Sequence, residues 1–179
     1  MKRVALIIAN RDFRDEEFFV TRDVLVSKGI KVQVFSNEIG LALGRFGGEV
    51  IIKNCIENLI VDDFDAIVFI GGSGALERLD NSISYDLIRS FAGQGKIVAA
   101  ICISPVILAK SGVLEGKTAT VWFSAMDKSA VAILTNKGAK YADLPVVVDG
   151  NVITGRDYEA SSEFALKVAL LLTNGQKSI

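Results

Sequence analysis

The sequence predicts an α/β fold of the flavodoxin-like, doubly wound type, with a mostly parallel sheet sandwiched by helices. Short β-branched apolar runs alternate with longer amphipathic stretches, which is typical of strands buried between helices. Of the 179 residues, 50% are hydrophobic and 23% are charged, so the chain can fill a substantial core. We expect residues 1–179 to form a single domain, since one core usually serves roughly 100–200 residues.

The predicted strands are the short apolar runs, and a glycine-rich segment predicts a hairpin. Residues 41–52 contain three glycines and favour a small antiparallel hairpin. The sequence Asp149-Gly150-Asn151 predicts a second hairpin turn near the end of the chain. The predicted strands cover residues 4–9, 30–35, 66–70, 96–101, 118–121, 146–149 and 152–154.

The predicted helices have recognisable starts and ends. The helix over residues 15–27 begins with Asp15, Glu16 and Glu17, where the helix dipole favours acids, and Gly29 closes it. Pro105 suits the first turn of a short helix over residues 105–110. The remaining helices are predicted over residues 84–91 and 159–172.

Composition excludes several classes of function. With 20 basic and 21 acidic residues the net charge is −1, so we expect no nucleic-acid partner. Two cysteines and no histidine exclude a disulfide scaffold and argue against a metal site, and we expect no cofactor. The first apolar run is too short for a secretory signal and no run spans a membrane, so we expect a cytoplasmic protein.

Three segments follow predicted buried strands and are therefore candidate site segments. They are residues 10–17, 71–74 and 102–105. In a doubly wound sheet, ligands bind beyond the carboxyl ends of the strands. The glycines of 71–74 either form a turn or let backbone N–H groups approach an anion. The acids of the first segment either complement the helix dipole or take part in catalysis.

Cys102 lies at the most informative of these positions. An apolar strand delivers its thiol to a tight turn before Pro105, an arrangement similar to the nucleophile elbow of hydrolases. The amino terminus of the following helix predicts a thiol pKa below the free value of about 8.5. The alternative is that Cys102 ends the strand as a small hydrophobic residue.

Taken together, the three segments resemble the ThiJ/PfpI superfamily, which includes archaeal intracellular proteases and the parkinsonism-associated protein deglycase. The resemblance runs from end to end of the chain and is carried by its strands and by the Ala-Ile-Cys-x-x-Pro elbow. The matching segments are residues 4–9, 13–17, 69–72, 99–105 and 146–154.

The resemblance implies roles for individual residues. Cys102 matches the nucleophile of the family, and Glu17 matches the helix-borne acid that hydrogen-bonds the sulfur. Gly72 and Ile103 match the positions whose backbone N–H groups form an oxyanion-like pocket. Glu77 matches an acid that protease-like members place across an oligomer interface, although its spacing from the glycines is one residue longer here.

The chain also departs from its apparent relatives. Protease-like members place a histidine directly after the cysteine, where this chain has Ile103, and Trp122 occupies a stretch that often carries a histidine in deglycase-like members. Because the chain has no histidine, a Cys-His-Glu triad is impossible even in an oligomer. This argues against efficient peptide hydrolysis, which needs an acid to protonate the amine leaving group.

Glu17 and Cys102, if adjacent, should not both be charged, because like charges raise one pKa strongly. Our hypothesis is a thiolate beside a protonated Glu17, adding to small reactive carbonyls in a glyoxalase- or deglycase-type reaction. The alternatives are a PfpI-type peptidase and a redox sensor or chaperone that uses Cys102 oxidation.

Further pocket residues and partners are predicted more loosely. Gly71, Ser104, Trp122, Arg156 and Asp157 are candidates to line the pocket, although Asp157 is equally a turn residue. The expected partners are a small-molecule or peptide substrate and a second copy of the chain, since the family forms dimers and some members form hexamers.

Overall fold

The computed structural model describes residues 1–174 and shows a central sheet covered by helices on both faces. Within this range no helix is both long and apolar enough to cross a membrane. In chain order the strands are β1 (Arg3–Ile7), β2 (Arg11–Phe13), β3 (Lys31–Phe35), β4 (Gly40–Gly44), β5 (Glu49–Ile52), β6 (Ala66–Phe69), β7 (Ile97–Ile101), β8 (Thr118–Ala119), β9 (Lys140–Tyr141), β10 (Val146–Asp149) and β11 (Val152–Gly155). The α-helices are α1 (Asp15–Ser27), α2 (Ser73–Arg78), α3 (Ser82–Gly93), α4 (Pro105–Ser111), α5 (Ser129–Asn136) and α6 (Ser161–Asn174).

The main sheet confirms the predicted fold class. Its strand order is β10-β11-β7-β6-β1-β3, and every neighbouring pair is parallel except β10 and β11. Read along the parallel strands in chain order, this is the 2-1-3-4-5 order of flavodoxin-like folds. The strand order reverses between β1 and β6, so the rule for such sheets places a ligand at their carboxyl ends.

The sheet separates two hydrophobic clusters. All four residues of β6 are buried, and they alternate between the faces, with Ile67 and Phe69 on one side and Ala66 and Val68 on the other. Residues of α3, α4 and α5 complete the first cluster, while residues of α1 and α6 complete the second. Burial on both faces explains why these strands read as continuous apolar runs rather than as alternating patterns.

Most element predictions hold, and the exceptions have physical reasons. Helix α1 has the predicted bounds, and Gly29 follows it with a φ of 74°. The predicted strand over residues 118–121 is shorter, because β8 pairs only with β9 and lies outside the main sheet. Helices α2 and α5 were not predicted, and the first residues of α2 follow glycines that indicated a turn.

The predicted glycine-rich hairpin is confirmed as the antiparallel pair β4 and β5, and it is tied to the start of α1. The carboxylate of Asp15 accepts the backbone N–H groups of Phe46 at 2.9 Å and Gly48 at 2.5 Å. A Cβ atom at Gly44 or Gly48 would lie 2.4 Å from Oδ1 of Asp15. The glycines therefore let the turn of the hairpin close around this side chain.

Candidate active site

The backbone of Cys102 adopts a strained conformation directly after β7. Its φ is 63°, in the left-handed region that residues other than glycine rarely occupy. Its N–H donates to the carbonyl of Gly155 at 2.9 Å, and its carbonyl accepts the N–H of Trp122 at 2.8 Å. These bonds fix the turn between the end of β11 and the segment that contains Trp122. The cysteine therefore lies on a sharp elbow between β7 and α4.

Ser104 fixes the elbow from inside the protein. This residue is fully buried, and its hydroxyl donates to the carbonyl of Ile70 at 2.8 Å. Its backbone N–H donates to Ile101 at 3.2 Å, and Pro105 follows as the first residue of α4. The Ser104 hydroxyl therefore joins the end of β7 to the end of β6.

Glu17 is a fully buried acid in the first turn of α1. Its Oε2 atom accepts the backbone N–H of Gly71 at 2.9 Å. Its Oε1 atom is buried without a well-formed hydrogen-bond partner, although the carboxyl interacts with the thiol of Cys102. A buried polar atom left without such a partner costs free energy, so this oxygen is available to a thiol proton or a ligand.

The two glycines after β6 provide the space in which these groups meet. A Cβ atom at Gly71 would lie 2.6 Å from Cβ of Cys102 and 2.8 Å from Oε2 of Glu17. Gly72 has a φ of 97°, and a Cβ atom there would lie 2.6 Å from the backbone nitrogen of Arg14. These glycines therefore do more than make a turn, because only glycine allows the acid and the elbow to approach this closely.

Burial dominates the ionisation of Glu17. Desolvation raises its pKa from 4.5 to about 7, against the lowering effects of the Cys102 and Gly71 hydrogen bonds and of the Arg14 charge. The neighbouring charge of Glu16 raises the pKa slightly further. The carboxyl group of Glu17 can therefore both hold and release a proton near neutral pH.

Burial also raises the pKa of the Cys102 thiol, and the charge and hydrogen bond of Glu17 raise it further. The backbone N–H groups of Gly72 and Ile103 interact with the sulfur and lower the pKa. The sequence expectation of a thiol pKa below its free value is therefore wrong, because desolvation outweighs the donors at the elbow. The lower pKa belongs to Glu17, so the pair takes up its first negative charge near pH 7 mainly on the carboxylate, and the predicted thiolate beside a protonated Glu17 is the minor form.

The remaining sequence candidates lie in different surroundings. Asp157 accepts the N–H groups of Glu159 and Ala160 at 3.0 and 3.3 Å, as a capping residue does, and pairs with Nε of Arg156 at 2.9 Å. Arg156 also reaches Asp143 at 3.1 Å. Trp122 touches the elbow through its backbone, as described above.

The candidate Glu77 and the second cysteine lie outside the cysteine–acid pair. Glu77 is exposed on α2. Cys55, the second cysteine, lines a separate cavity of about 290 Å³ beside β3. Within residues 1–174, no cluster of three or more metal-ligating His, Cys, Asp or Glu side chains occurs.

A basic residue at this site was not singled out from the sequence. Arg14 directly precedes α1, and its guanidinium lies 4.6 Å from the ring centre of Phe46 and 4.3 Å from that of Tyr158. A positive charge at a helix amino terminus opposes the helix dipole, and this is the signal by which the residue could have been singled out.

Fold and site together define an α/β protein with a cysteine on a strand-to-helix elbow and a buried acid beside it. The family model described as the DJ-1/PfpI family matches residues 2–170. The chain belongs to the DJ-1/PfpI family, as the sequence resemblance predicted.

Proteins similar in sequence include several with names that describe activities. The chain is 41% identical over 167 residues to an uncharacterized protein of Methanocaldococcus jannaschii, covering 93% of this chain and 80% of that protein. It is 31% identical to the deglycase PfpI of Pyrococcus furiosus, over 84% of this chain and 88% of the relative. It is 26% identical to a glutathione-independent glyoxalase of Caenorhabditis elegans, over 99% and 92% of the two chains.

Solved structures share the whole architecture. A ThiJ/PfpI domain protein from Brachyspira murdochii superposes with a TM-score of 0.90 at 29% identity, covering 96% of each chain. The DJ-1beta structure of Drosophila melanogaster gives a TM-score of 0.85 at 34% identity, covering 96% of this chain and 90% of that one. The names of the relatives show that enzymes of the deglycase and glyoxalase type occur in the family.

Proposed function

We propose that this protein is a cysteine-dependent enzyme that converts small 2-oxoaldehydes, with Cys102 as nucleophile and Glu17 as acid and base. The observation that supports the proposal is the meeting of a strained cysteine elbow, a buried carboxyl group with a pKa of about 7, and the backbone N–H groups of Gly72 and Ile103. Relatives named deglycase and glyoxalase, at 31% and 26% identity, support the same substrate class.

The first step follows from the shared proton of the pair. The proton moves to Glu17, and the thiolate of Cys102 attacks the aldehyde carbon, so that a carbon–sulfur bond forms. The π electrons of the carbonyl move to its oxygen, which takes the proton from Glu17. The product is a hemithioacetal, and no leaving group is required, so the absence of histidine does not block this step.

The second step uses Glu17 as a base. Its carboxylate removes the hydrogen from the former aldehyde carbon, and an enediol forms. Return of the proton to the neighbouring carbon gives a thioester, which water cleaves to a 2-hydroxy acid and the free thiol. The net change is addition of one water to the 2-oxoaldehyde, so no external oxidant or reductant is needed.

Peptide hydrolysis is the less favoured activity. The chain has no histidine, and a carboxyl group alone must then protonate an amine leaving group. A non-enzymatic redox role is the other alternative, because a protonated Glu17 and the N–H groups of Gly72 and Ile103 would also stabilise oxygens on an oxidised sulfur.

The experiment measures conversion of methylglyoxal to lactate, and hydrolysis of a peptide, by the wild-type protein and by Cys102→Ala, Glu17→Gln and Cys55→Ser. We expect turnover by the wild type and by Cys55→Ser. Glu17→Gln should lose 100-fold or more, because a general acid–base group contributes about 10²–10⁴-fold, and Cys102→Ala should be inactive, because no thioester can form without the thiol. Turnover that survives in Cys102→Ala would overturn the proposal. If the wild type converts neither methylglyoxal nor peptides, the redox role is favoured instead.

A further inference from the structure

Arg14 is held more firmly than a surface arginine. Its guanidinium lies over the rings of Phe46 and Tyr158, at 4.6 and 4.3 Å from the ring centres, and its side chain is 22% exposed. Its Nε lies 2.9 Å from Oε2 of Glu16, and one terminal nitrogen donates to Oε1 at 3.2 Å. A planar guanidinium suits both contacts at once, whereas a lysine ammonium does not.

The backbone of Arg14 is also part of the wall of the site. Its N–H donates to the carbonyl of Gly71 at 3.1 Å, and its carbonyl accepts the N–H of Phe18 at 3.1 Å in the first turn of α1. Gly72, whose N–H interacts with the sulfur of Cys102, packs directly against this backbone. Arg14 is therefore held at its backbone by hydrogen bonds and at its guanidinium by two aromatic rings.

The rings that hold Arg14 come from two other segments at the same edge of the sheet. Phe46 belongs to the turn of the hairpin, which Asp15 ties to α1. Tyr158 follows Asp157, shortly after Gly155, whose carbonyl accepts the N–H of Cys102. The cation–π contacts thus link the start of α1 to the hairpin turn and to the segment before α6.

We propose that Arg14 is a positioning residue for the active site: its clamped positive charge beside α1 stabilises the negative charge shared by Glu17 and Cys102. The inference rests on the proposed function, because it names what sets the ionisation of the same pair. Glu16 acts as the opposing charge, since it is paired with Arg14 and lies one residue before Glu17. Removing Arg14 should therefore raise the pKa at which the Glu17–Cys102 pair first ionises, and removing Glu16 should lower it.

The charged groups around the pair are few. Arg14, directly before α1, and Glu16, in its first turn, act on Glu17, and Cys102 does so from the elbow. Asp15 is turned to the hairpin, where it accepts the two N–H groups of the turn. Arg156, before Tyr158, is paired with Asp157 at 2.9 Å and with Asp143 at 3.1 Å, and none of these three groups is among those that shift the pKa of Glu17.

The test is the pH dependence of alkylation of Cys102 by iodoacetamide, followed on the intact protein by peptide-resolved mass spectrometry. This readout does not need turnover, so it separates failure of this inference from failure of the proposed function. The alkylation rate should first rise at the pH where the pair takes up one negative charge. We expect Arg14→Gln to raise the midpoint of this rise by about half a pH unit or more, and Glu16→Gln to lower it.

Arg22→Gln is the matched control. Arg22 also lies on α1, stacks 5.4 and 5.0 Å from the rings of Phe18 and Phe19, and pairs with Asp23 at 2.8 Å. Arg22 is not among the groups that shift the pKa of Glu17, so Arg22→Gln should keep the wild-type midpoint of Cys102 alkylation. Equal shifts in the Arg14 and Arg22 variants, or shifts of the same sign in the Arg14 and Glu16 variants, would overturn the inference. Should Arg14→Gln fail to fold, the sign of the Glu16→Gln shift decides by itself.

Discussion

The carboxyl group of Glu17 accepts the backbone N–H of Gly71 at 2.9 Å, and this bond connects the first helix to the loop after β6. The two residues are 54 positions apart in the chain, so neither helix propensity nor strand pattern places them together. The bond holds one oxygen of the acid, and the carboxyl group also interacts with the thiol of Cys102. The candidate chemistry depends on this connection, because it orients the acid toward the thiol.

A methyl group at Gly71 should disrupt the site. The Cβ atom of Gly71→Ala would lie within 2.9 Å of Cys102, Glu17 and the carbonyl of Ile101. We expect the free energy of unfolding to fall by about 1–3 kcal/mol, as for other overpacked positions, and methylglyoxal turnover to be lost. Gly93→Ala is the control, since a Cβ atom at Gly93 meets nothing within 4 Å. Denaturation in urea and the lactate assay check both variants, and equal stability would contradict the packing argument.

Glu17→Gln should change how stability depends on pH. The folded pKa of about 7 exceeds the ordinary value of 4.5, so between these values the folded state binds more protons than the unfolded state. The contribution of Glu17 to the free energy of unfolding is therefore largest below pH 4.5. It falls as the pH rises to about 7, by about 3 kcal/mol at most in total. Gln is neutral throughout, so the stability of Glu17→Gln relative to wild type should increase across this range. A constant difference from pH 4 to 8, measured by denaturant titration, would contradict the buried-acid assignment.

Ser104→Ala should weaken the elbow without removing either reactive group. The variant leaves the carbonyl of Ile70 without the hydroxyl that donates to it at 2.8 Å in a buried position. We expect a loss of stability of about 1–3 kcal/mol and a lower rate constant of turnover. Ser90→Ala removes a similar bond, to Asp86 at 2.8 Å, but from an exposed helix surface, and should have little effect. Thermal unfolding of the two variants compares these losses directly.

Asp15→Ala should release the hairpin from α1. The amide groups of Phe46 and Gly48 then lose their acceptor, and hydrogen exchange at these two positions should accelerate at least tenfold. Asp23→Ala, which removes an acid with 65% of its side chain exposed, should leave both amides protected. Unchanged exchange in Asp15→Ala would show that the glycines alone fix the turn.

The sequence alone was sufficient for the sheet, for the elbow and for the first helix. Continuous apolar runs identify strands buried on both faces, and the acids before Phe18 together with Gly29 mark both ends of α1. These signals are local, so a pattern reveals them. The short helix α2 was missed, because glycines needed for close packing against Arg14 look the same as turn residues in the sequence.

The electrostatic properties of the site were not predictable in the same way. The sequence places a thiol at a helix start, which favours its ionisation, but desolvation by the folded core raises the pKa of both Cys102 and Glu17. The role of Asp15 also depends on a tertiary contact, since its partners lie in a hairpin 31 and 33 residues away. Burial and long-range bonds exist only after folding, so composition and spacing do not reveal them.

The alkylation rate of Cys102 as a function of pH, compared between wild type and Glu17→Gln, tests the coupling of the two acids most directly. In the wild type we expect two steps, the first near pH 7 as the pair takes up one negative charge and the second well above the ordinary range of a thiol. Glu17→Gln should show a single step, because the thiol then ionises alone. Superimposable single-step curves for the two proteins would mean that Glu17 does not control the thiol, and the account of the site would be wrong.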